Sequence, residues 1–314
     1  MATTGVSSSG ETNLSNTSFR NTIFGNTRPY LAKLRDCYIL TKPEVNLLIL
    51  ITTSAGYYLG SRGTFHFAGL FHTLLGTLLV ASGTATLNQF MERTYDSQMR
   101  RTANRPVASG RFSPREAFYF GLLMSVAGGA YLLITMNRMT ALLAVSTLLT
   151  YLLVYTPLKR KTPLCTTLGA IPGAMPILIG WVGASARLNW QAGILFLLLF
   201  FWQFPHFLAI ALMYREDYAQ AGYKMLPAFD REGHFTRVEI IALTIALLIV
   251  TILPLSGHSF SLPYFSGMIL AGLFFLYHSV RLAVSASSVA ASRLLHASVI
   301  YLPIVLGMMM AAKA

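Results

Sequence analysis

The chain has 314 residues, 54% hydrophobic and only 11% charged, with a mean hydropathy of +0.56. Apolar runs of about twenty residues recur along its length, which excludes a water-soluble core. Its formal net charge of +13 would suggest nucleic acid in a soluble protein, but Lys and Arg collect on the cytoplasmic side of membrane proteins, so no nucleic acid is expected. The two cysteines, Cys37 and Cys165, are too few for a disulfide framework or a zinc site.

Residues 1–39 are rich in Ser, Thr, Asn and Gly and contain no apolar signal core. They read as a disordered cytoplasmic tail; a mitochondrial presequence is the weaker reading, because Arg is sparse and no amphipathic face emerges. Nine hydrophobic segments follow, near 45–60, 67–89, 116–136, 139–156, 166–185, 190–214, 238–256, 263–281 and 294–312. They predict an all-α integral membrane domain of nine transmembrane helices over 40–314, with a lipid bilayer as its solvent.

The charges between the segments set the orientation. Of the 24 Lys and Arg, only Arg62, Arg138, Arg187 and Lys313 fall on one side; the others share a side with the N-terminus. The N-terminus is therefore expected in the cytoplasm and the C-terminus outside, in a bacterial inner membrane rather than a mitochondrial one. All 11 acids lie on the inner side too. Acids contribute little to topology, so the inner face needs carboxylates for another purpose. The two long charged loops follow helices two and six, four helices apart, as in a bundle of two pseudo-repeated halves with a site between them.

The first of these loops is NQFMERTYDSQMRRTANRP, Asn88 to Pro106. Asn88, Glu92 and Asp96 are spaced four apart, so a helix continuing past the membrane boundary places them on one face. Three oxygen-bearing side chains there suit a hard cation such as Mg²⁺, with Mn²⁺ as an alternative. The competing reading is a solvated helix end with i, i+4 pairs such as Asp96 to Arg100, and spacing alone favours it. The second loop, YREDYAQAGYKMLP, shifts the balance by adding Glu216 and Asp217 flanked by Arg215 and Lys224. Carboxylates from two loops among basic residues look like a site for a metal-bound polyphosphate. Its basic candidates are Arg93, Arg100, Arg101, Arg105, Arg215 and Lys224, with Lys159 to Lys161 after helix four; for any single one, topology alone is an equal explanation.

Of seven histidines only His206 is expected deep within a segment, in FWQFPHFLAIALMYRED, the others falling near segment ends or in loops. If that helix runs on unbroken, His206 and Asp217 share a face about 16 Å apart. His206 would then line the same cavity at greater depth; a histidine bonded to a neighbouring helix is the alternative.

Together, NQFMERTYDSQMRRTANRPVASG, TKPEVNLLILITT, YTPLKRKT, IPGAMPILIGW and FWQFPHFLAIALMYREDYAQAGYKMLP resemble the UbiA superfamily of intramembrane prenyltransferases. The pairing of MRRTANRP with YREDYAQAGYKMLP resembles more narrowly its haem-farnesylating branch, over Leu40 to Ala314. The resemblance implies transfer of a farnesyl group from farnesyl diphosphate to the vinyl group of protohaem IX (haem b) with addition of water. The product would be haem O for terminal oxidases, with haem A synthase or oxidase assembly proteins as candidate partners. It implies Mg²⁺ bound by Asn88, Glu92, Asp96 and Asp217, and diphosphate contacts from Arg93, Arg105, Lys159, Arg160, Arg215 and Lys224. His206 would lie by the haem. Position 92 is Glu and position 94 Thr where many relatives carry Asp, and Ala221 stands where a second Asp is common.

The nearest rival is a prenyltransferase of the same superfamily acting on an aromatic or quinone-precursor acceptor. A transporter would carry ionisable residues near the bilayer midplane, and a structural haem subunit would supply axial histidine pairs. Neither pattern is present.

Overall fold

The computed structural model describes residues 28–230, 232–253 and 261–313, and among these every regular element is helical. Eight helices are long and apolar enough to cross a membrane. They are α3 (Phe67–Asp96), α4 (Pro114–Thr135), α5 (Arg138–Leu158), α6 (Cys165–Ser185), α7 (Trp190–Met213), α10 (His234–Thr251), α11 (Leu262–Ser285) and α12 (Ser288–Lys313). The first expected segment is also a helix, α2 (Pro43–Gly60). It falls short on composition, because Glu44, Asn46 and the Thr52–Thr53 pair dilute its apolar run. Three short helices complete the fold: α1 (Arg28–Leu40), α8 (Arg215–Gln220) and α9 (Leu226–Phe229).

The bundle is knit where small residues let backbones touch. Gly56 and Gly60 of α2 face Ile177 and Trp181 of α6, and Gly180 of α6 faces Thr53 of α2. A Cβ on Gly56 would strike the Ile177 carbonyl, and one on Gly180 the Thr53 carbonyl. A polar tie supports the next contact, since Asn46 Nδ2 donates to Ser82 Oγ of α3 at 2.8 Å. The main apolar core gathers α6, α7, α10, α11 and α12 around Ile177, Leu195, Leu198, Met268, Phe275 and Tyr301. Large side chains such as Leu123, Ile134, Leu142, Leu153 and Leu270 point outward, a surface suited to lipid rather than water.

Two local features place the site. α3 has 30 residues, about 45 Å at 1.5 Å per residue, against a hydrocarbon core about 30 Å thick. Its last turns therefore project beyond the apolar slab, as the spacing of Asn88, Glu92 and Asp96 leads one to expect. In α5, Thr150–Tyr155 widens into a π-helical stretch. The extra residue per turn, a device common at functional sites, sends Tyr151, Tyr155 and Lys159 toward one cavity.

Two expectations are corrected. Residues 28–39, assigned to the tail, belong to helix α1, because Leu40 and Cys37 bury against Val107, Phe112 and Ala117. Lys33–Glu116 and Asp36–Arg111 ion pairs add to that docking; residues 1–27 of the expected tail lie outside the described residues. The helix carrying His206 also does not run through to Asp217. It ends at Met213, Tyr214 leaves helical geometry (φ −111°, ψ 28°), and α8 starts anew. The turn lets Tyr218, Ala221 and Tyr223 pack on Met99 and Tyr95, burial that a straight helix would forfeit.

Gly180→Val should drive α2 from α6 and destabilise the fold by about 1–3 kcal/mol or more. Thermal unfolding in detergent would show it as a midpoint lowered by at least several degrees; an unchanged midpoint would contradict the close α2–α6 contact.

Candidate functional site

The projecting end of α3 is buried although it is polar. Asn88 and Asp96 are 1% exposed and Glu92 is 5% exposed. Each meets a basic side chain from a different part of the chain. Lys42, at the α1–α2 junction, donates to Asn88 Oδ1 at 3.1 Å. Lys159, at the end of α5, donates to Glu92 Oε1 at 2.8 Å. Arg105 curls back from the following loop and donates to both Asp96 oxygens at 2.8 and 2.7 Å. Asp96 thus pairs with Arg105, nine residues on, and not with Arg100 one turn on.

The loop is shaped to permit this: Thr102 Oγ1 donates to the Asp96 carbonyl at 2.8 Å, and Arg105 N donates to the Thr102 carbonyl. The π stretch serves Asn88 as well, whose Nδ2 donates to Thr156 Oγ1 at 3.2 Å.

The charges do not cancel. Two carboxylates face Lys42, Lys159 and Arg105, and Lys42 bonds only to an amide. Burial, followed by the repulsion of Arg105, pushes the Lys42 ammonium down to about 7. Burial also opposes the charge on Lys159, but Tyr155 and Glu92 outweigh it and hold that ammonium well above the ordinary lysine value. Burial and the Glu92 carboxylate hold the Tyr223 phenol above its usual range, so it remains a donor. The site has more positive charge than its acids can balance, which favours an anionic ligand.

All three pairs open on one cavity of about 630 Å³. Its polar end carries Lys42, Asn88, Glu92, Asp96, Arg101, Arg105 and Lys159. Its apolar reach runs between helices past Ile49, Val80, Leu199 and Leu302, the common form of a ligand cavity, apolar with a few convergent polar groups. Lys159 Nζ lies 4.4 Å from the Tyr155 ring centre. Arg101 sits over Tyr214 and Tyr218 and donates to Tyr218 at 3.3 Å.

His206 lines the same cavity and is also bonded to a neighbouring helix. Its Nδ1 is 2.7 Å from Ser298 Oγ, and Ser298 donates its own proton to the Leu295 carbonyl at 2.6 Å. Ser298 therefore accepts from Nδ1–H, which leaves a lone pair on Nε2. Trp202 stacks on the imidazole at 4.8 Å and donates to the Ser298 carbonyl, fixing the ring plane.

The remaining expected residues are not gathered in the cavity. Arg93 turns away to the Phe90 carbonyl and ring. Arg160 lies over the Tyr95 ring and donates to its hydroxyl. Arg215, Asp217 and Lys224 are not among its lining residues, although Tyr218 is, and the Lys224 backbone amide donates to the Lys159 carbonyl at 2.7 Å. Sequence reasoning overlooked Lys42, Asn46, Gln203 and Tyr223 in this cavity. The only signal for Lys42 is its place before Pro43, where α2 must start.

Among the described residues no three His, Cys, Asp or Glu side chains converge. A divalent cation is still compatible with the donors present. Asn88, Glu92 and Asp96 offer hard oxygens along one face of a cavity, and Mg²⁺ is commonly held by one or two carboxylates together with substrate phosphates.

The profile of the UbiA prenyltransferase family matches residues 49–309. A protoheme IX farnesyltransferase of Solibacter usitatus (strain Ellin6076) is 45% identical over 287 residues, covering 88% of this chain and 98% of that protein. A solved structure from work on digeranylgeranylglyceryl phosphate synthase in membranes superposes with TM-score 0.73 at 18% identity, covering 90% of this chain and 98% of that one. A UbiA homolog from Archaeoglobus fulgidus bound to GPP and Mg²⁺ superposes with TM-score 0.62 at 14% identity, over 87% of this chain and 99% of that one. At these identities the two structures speak to the fold.

Glu92→Gln should leave Lys159 charged, buried and unpaired, a loss of about 3–5 kcal/mol. The double variant Glu92→Gln/Lys159→Met should recover most of it. A double-mutant cycle on thermal unfolding checks this; additive losses would mean that the two side chains do not interact.

Proposed function

The chain belongs to the UbiA prenyltransferase family, in its protoheme IX farnesyltransferase branch, and on that footing we propose that it transfers a farnesyl group from farnesyl diphosphate to a vinyl group of protohaem IX with addition of water, giving haem O. The observation that carries the reading is the single cavity joining a cation-rich end to a long apolar reach. A diphosphate suits the first, and a C15 chain and a porphyrin suit the second. We further propose that α2 is the ninth span, that two pseudo-repeated halves form the bundle, and that the charged end faces the cytoplasm of a bacterial inner membrane. That orientation follows from the 20 Lys and Arg on the side of the N-terminus. Haem A synthase or an oxidase assembly protein would suit as recipient of the product.

Asn88, Glu92 and Asp96 would hold Mg²⁺, or Mn²⁺, with Asp217 joining from the second loop. A divalent cation so held supplies Lewis-acid stabilisation of charge on phosphate oxygens. With their oxygens so engaged, Lys42, Lys159 and Arg105 would be free of their amide and carboxylate partners and would meet the diphosphate oxygens. As the farnesyl C1–O bond breaks, charge grows on the departing oxygens, where preplaced ammonium and guanidinium groups act most strongly. Tyr151 and Tyr155 present ring faces beside Lys159 and Trp202 lines the deeper wall, each suited to an allylic cation. The vinyl π electrons form the new C–C bond at C1. Water adds to the resulting carbocation and gives up a proton to solvent, so no strong general base is needed. The Nε2 lone pair of His206 faces the porphyrin as a contact for its iron.

Asp96→Ala and Asp217→Ala should each reduce turnover by about 100-fold or more while the melting profile keeps one cooperative transition. The assay is haem b with farnesyl diphosphate and Mg²⁺, with and without EDTA, the pigment weighed by mass spectrometry. A metal-dependent product heavier by a farnesyl group plus water is expected. Full activity in both variants would contradict the metal assignment, and prenylation only of a supplied quinone precursor would move the acceptor to the rival branch.

A further inference from the structure

A second, smaller cavity of about 370 Å³ lies against the first. The two share only Glu92 and Tyr223 as lining residues, so these two residues stand between them. The smaller cavity is otherwise bounded by the end of α3 and the end of α5, where Arg160 and Lys161 stand exposed. Neither is in any of the four ion pairs among the described residues. Arg160 is instead held flat on the Tyr95 ring. Two cations outside any ion pair among the described residues, lining a pocket that shares Glu92 and Tyr223 with the larger cavity, suit an anion.

We propose that this pocket is the port through which inorganic diphosphate leaves, with Arg160 and Lys161 as its transient anion site. The proposal rests on the prenyl-diphosphate reading above. The two products of that reaction need different ways out. The prenylated product is apolar and departs through the membrane-side reach of the main cavity. A multiply charged anion cannot follow it into hydrocarbon. The port begins where the diphosphate sits, takes an anion of headgroup size, and ends at basic residues outside the spans. The layer between is thin, since Glu92 and Tyr223 line both cavities. The port also gives Arg160 a role consistent with its position, since it stands on the far side of Glu92 from the substrate cavity.

The test uses full-length protein in detergent with Mg²⁺ and inorganic diphosphate as the probe. In Arg160→Gln/Lys161→Gln the dissociation constant for inorganic diphosphate, titrated calorimetrically, should rise about tenfold or more, while that for farnesyl diphosphate stays within about twofold. Rapid-quench turnover should show a burst of about one product per protein followed by a slower steady state, because release has become limiting. Met91→Trp, which narrows the pocket without touching a charge, should give the same burst. Unchanged inorganic diphosphate affinity with no burst in either variant would overturn the port. So would a loss of farnesyl diphosphate affinity equal to that of inorganic diphosphate, which would place both cations in the substrate's own subsite. Both affinities are read without an acceptor, so a mistaken acceptor leaves the test intact; wild-type protein that binds neither ligand would overturn the diphosphate reading itself.

Discussion

A carboxylate buried away from water needs a cation against it, because the desolvation of either charge alone outweighs anything the fold can return. α3 carries two such groups, Glu92 and Asp96, at its polar end, with Asn88 one turn before them. Much of the charged end is arranged to answer them. The π stretch of α5 exists at the point where Lys159 must reach Glu92. The loop after α3 turns back on itself so that Arg105 reaches Asp96. The α1–α2 junction sets Lys42 on Asn88, and α1 is held there by its own contacts with the same loop.

The pairing is unequal in a way that bears on catalysis. Three basic groups share two acids and an amide, so the site is short of negative charge whenever Lys42 is protonated. Under the proposed assignment a diphosphate with a divalent cation would correct the deficit: the oxygens of Asn88, Glu92 and Asp96 would hold the cation, and Lys42, Lys159 and Arg105 would meet the phosphate oxygens. The same side chains would then serve with and without ligand, and the buried charges would keep a partner throughout. The apolar helices behind them supply a low-dielectric floor, which strengthens every one of these interactions. The α2–α6 glycine contact matters here because Lys42 immediately precedes α2, and α6 walls the cavity with Gly169, Gly173 and Pro176.

Hydrophobic segments and charge asymmetry made the all-helical membrane fold readable from the sequence alone, since hydrocarbon imposes helix length and apolarity directly. Asn88, Glu92 and Asp96 were readable for a related reason: a four-residue spacing on a continuing helix has one geometric outcome. The cavity's other members were less accessible. Lys42 looked like a topological charge, because its partner lies 46 residues away. The break at Tyr214 has no glycine or proline to announce it and follows from Tyr218 and Tyr223 docking on Met99 and Tyr95. The helical character of 28–40 likewise depends on a distant loop. Long-range packing decides each of these, and periodicity carries no record of it.

Partner exchange has a thermodynamic signature that a preformed metal site lacks. Farnesyl diphosphate titrated calorimetrically into the detergent-solubilised protein, with and without Mg²⁺, reads it most directly. If the basic groups must leave the acids before either ligand is well held, the two ligands bind cooperatively. Mg²⁺ should then tighten farnesyl diphosphate by about tenfold or more, near 1.4 kcal/mol of coupling, and farnesyl diphosphate should tighten Mg²⁺ by the same factor. Tight Mg²⁺ binding of equal strength with and without farnesyl diphosphate would contradict the exchange and show Glu92 and Asp96 to be free of their basic partners in the empty protein.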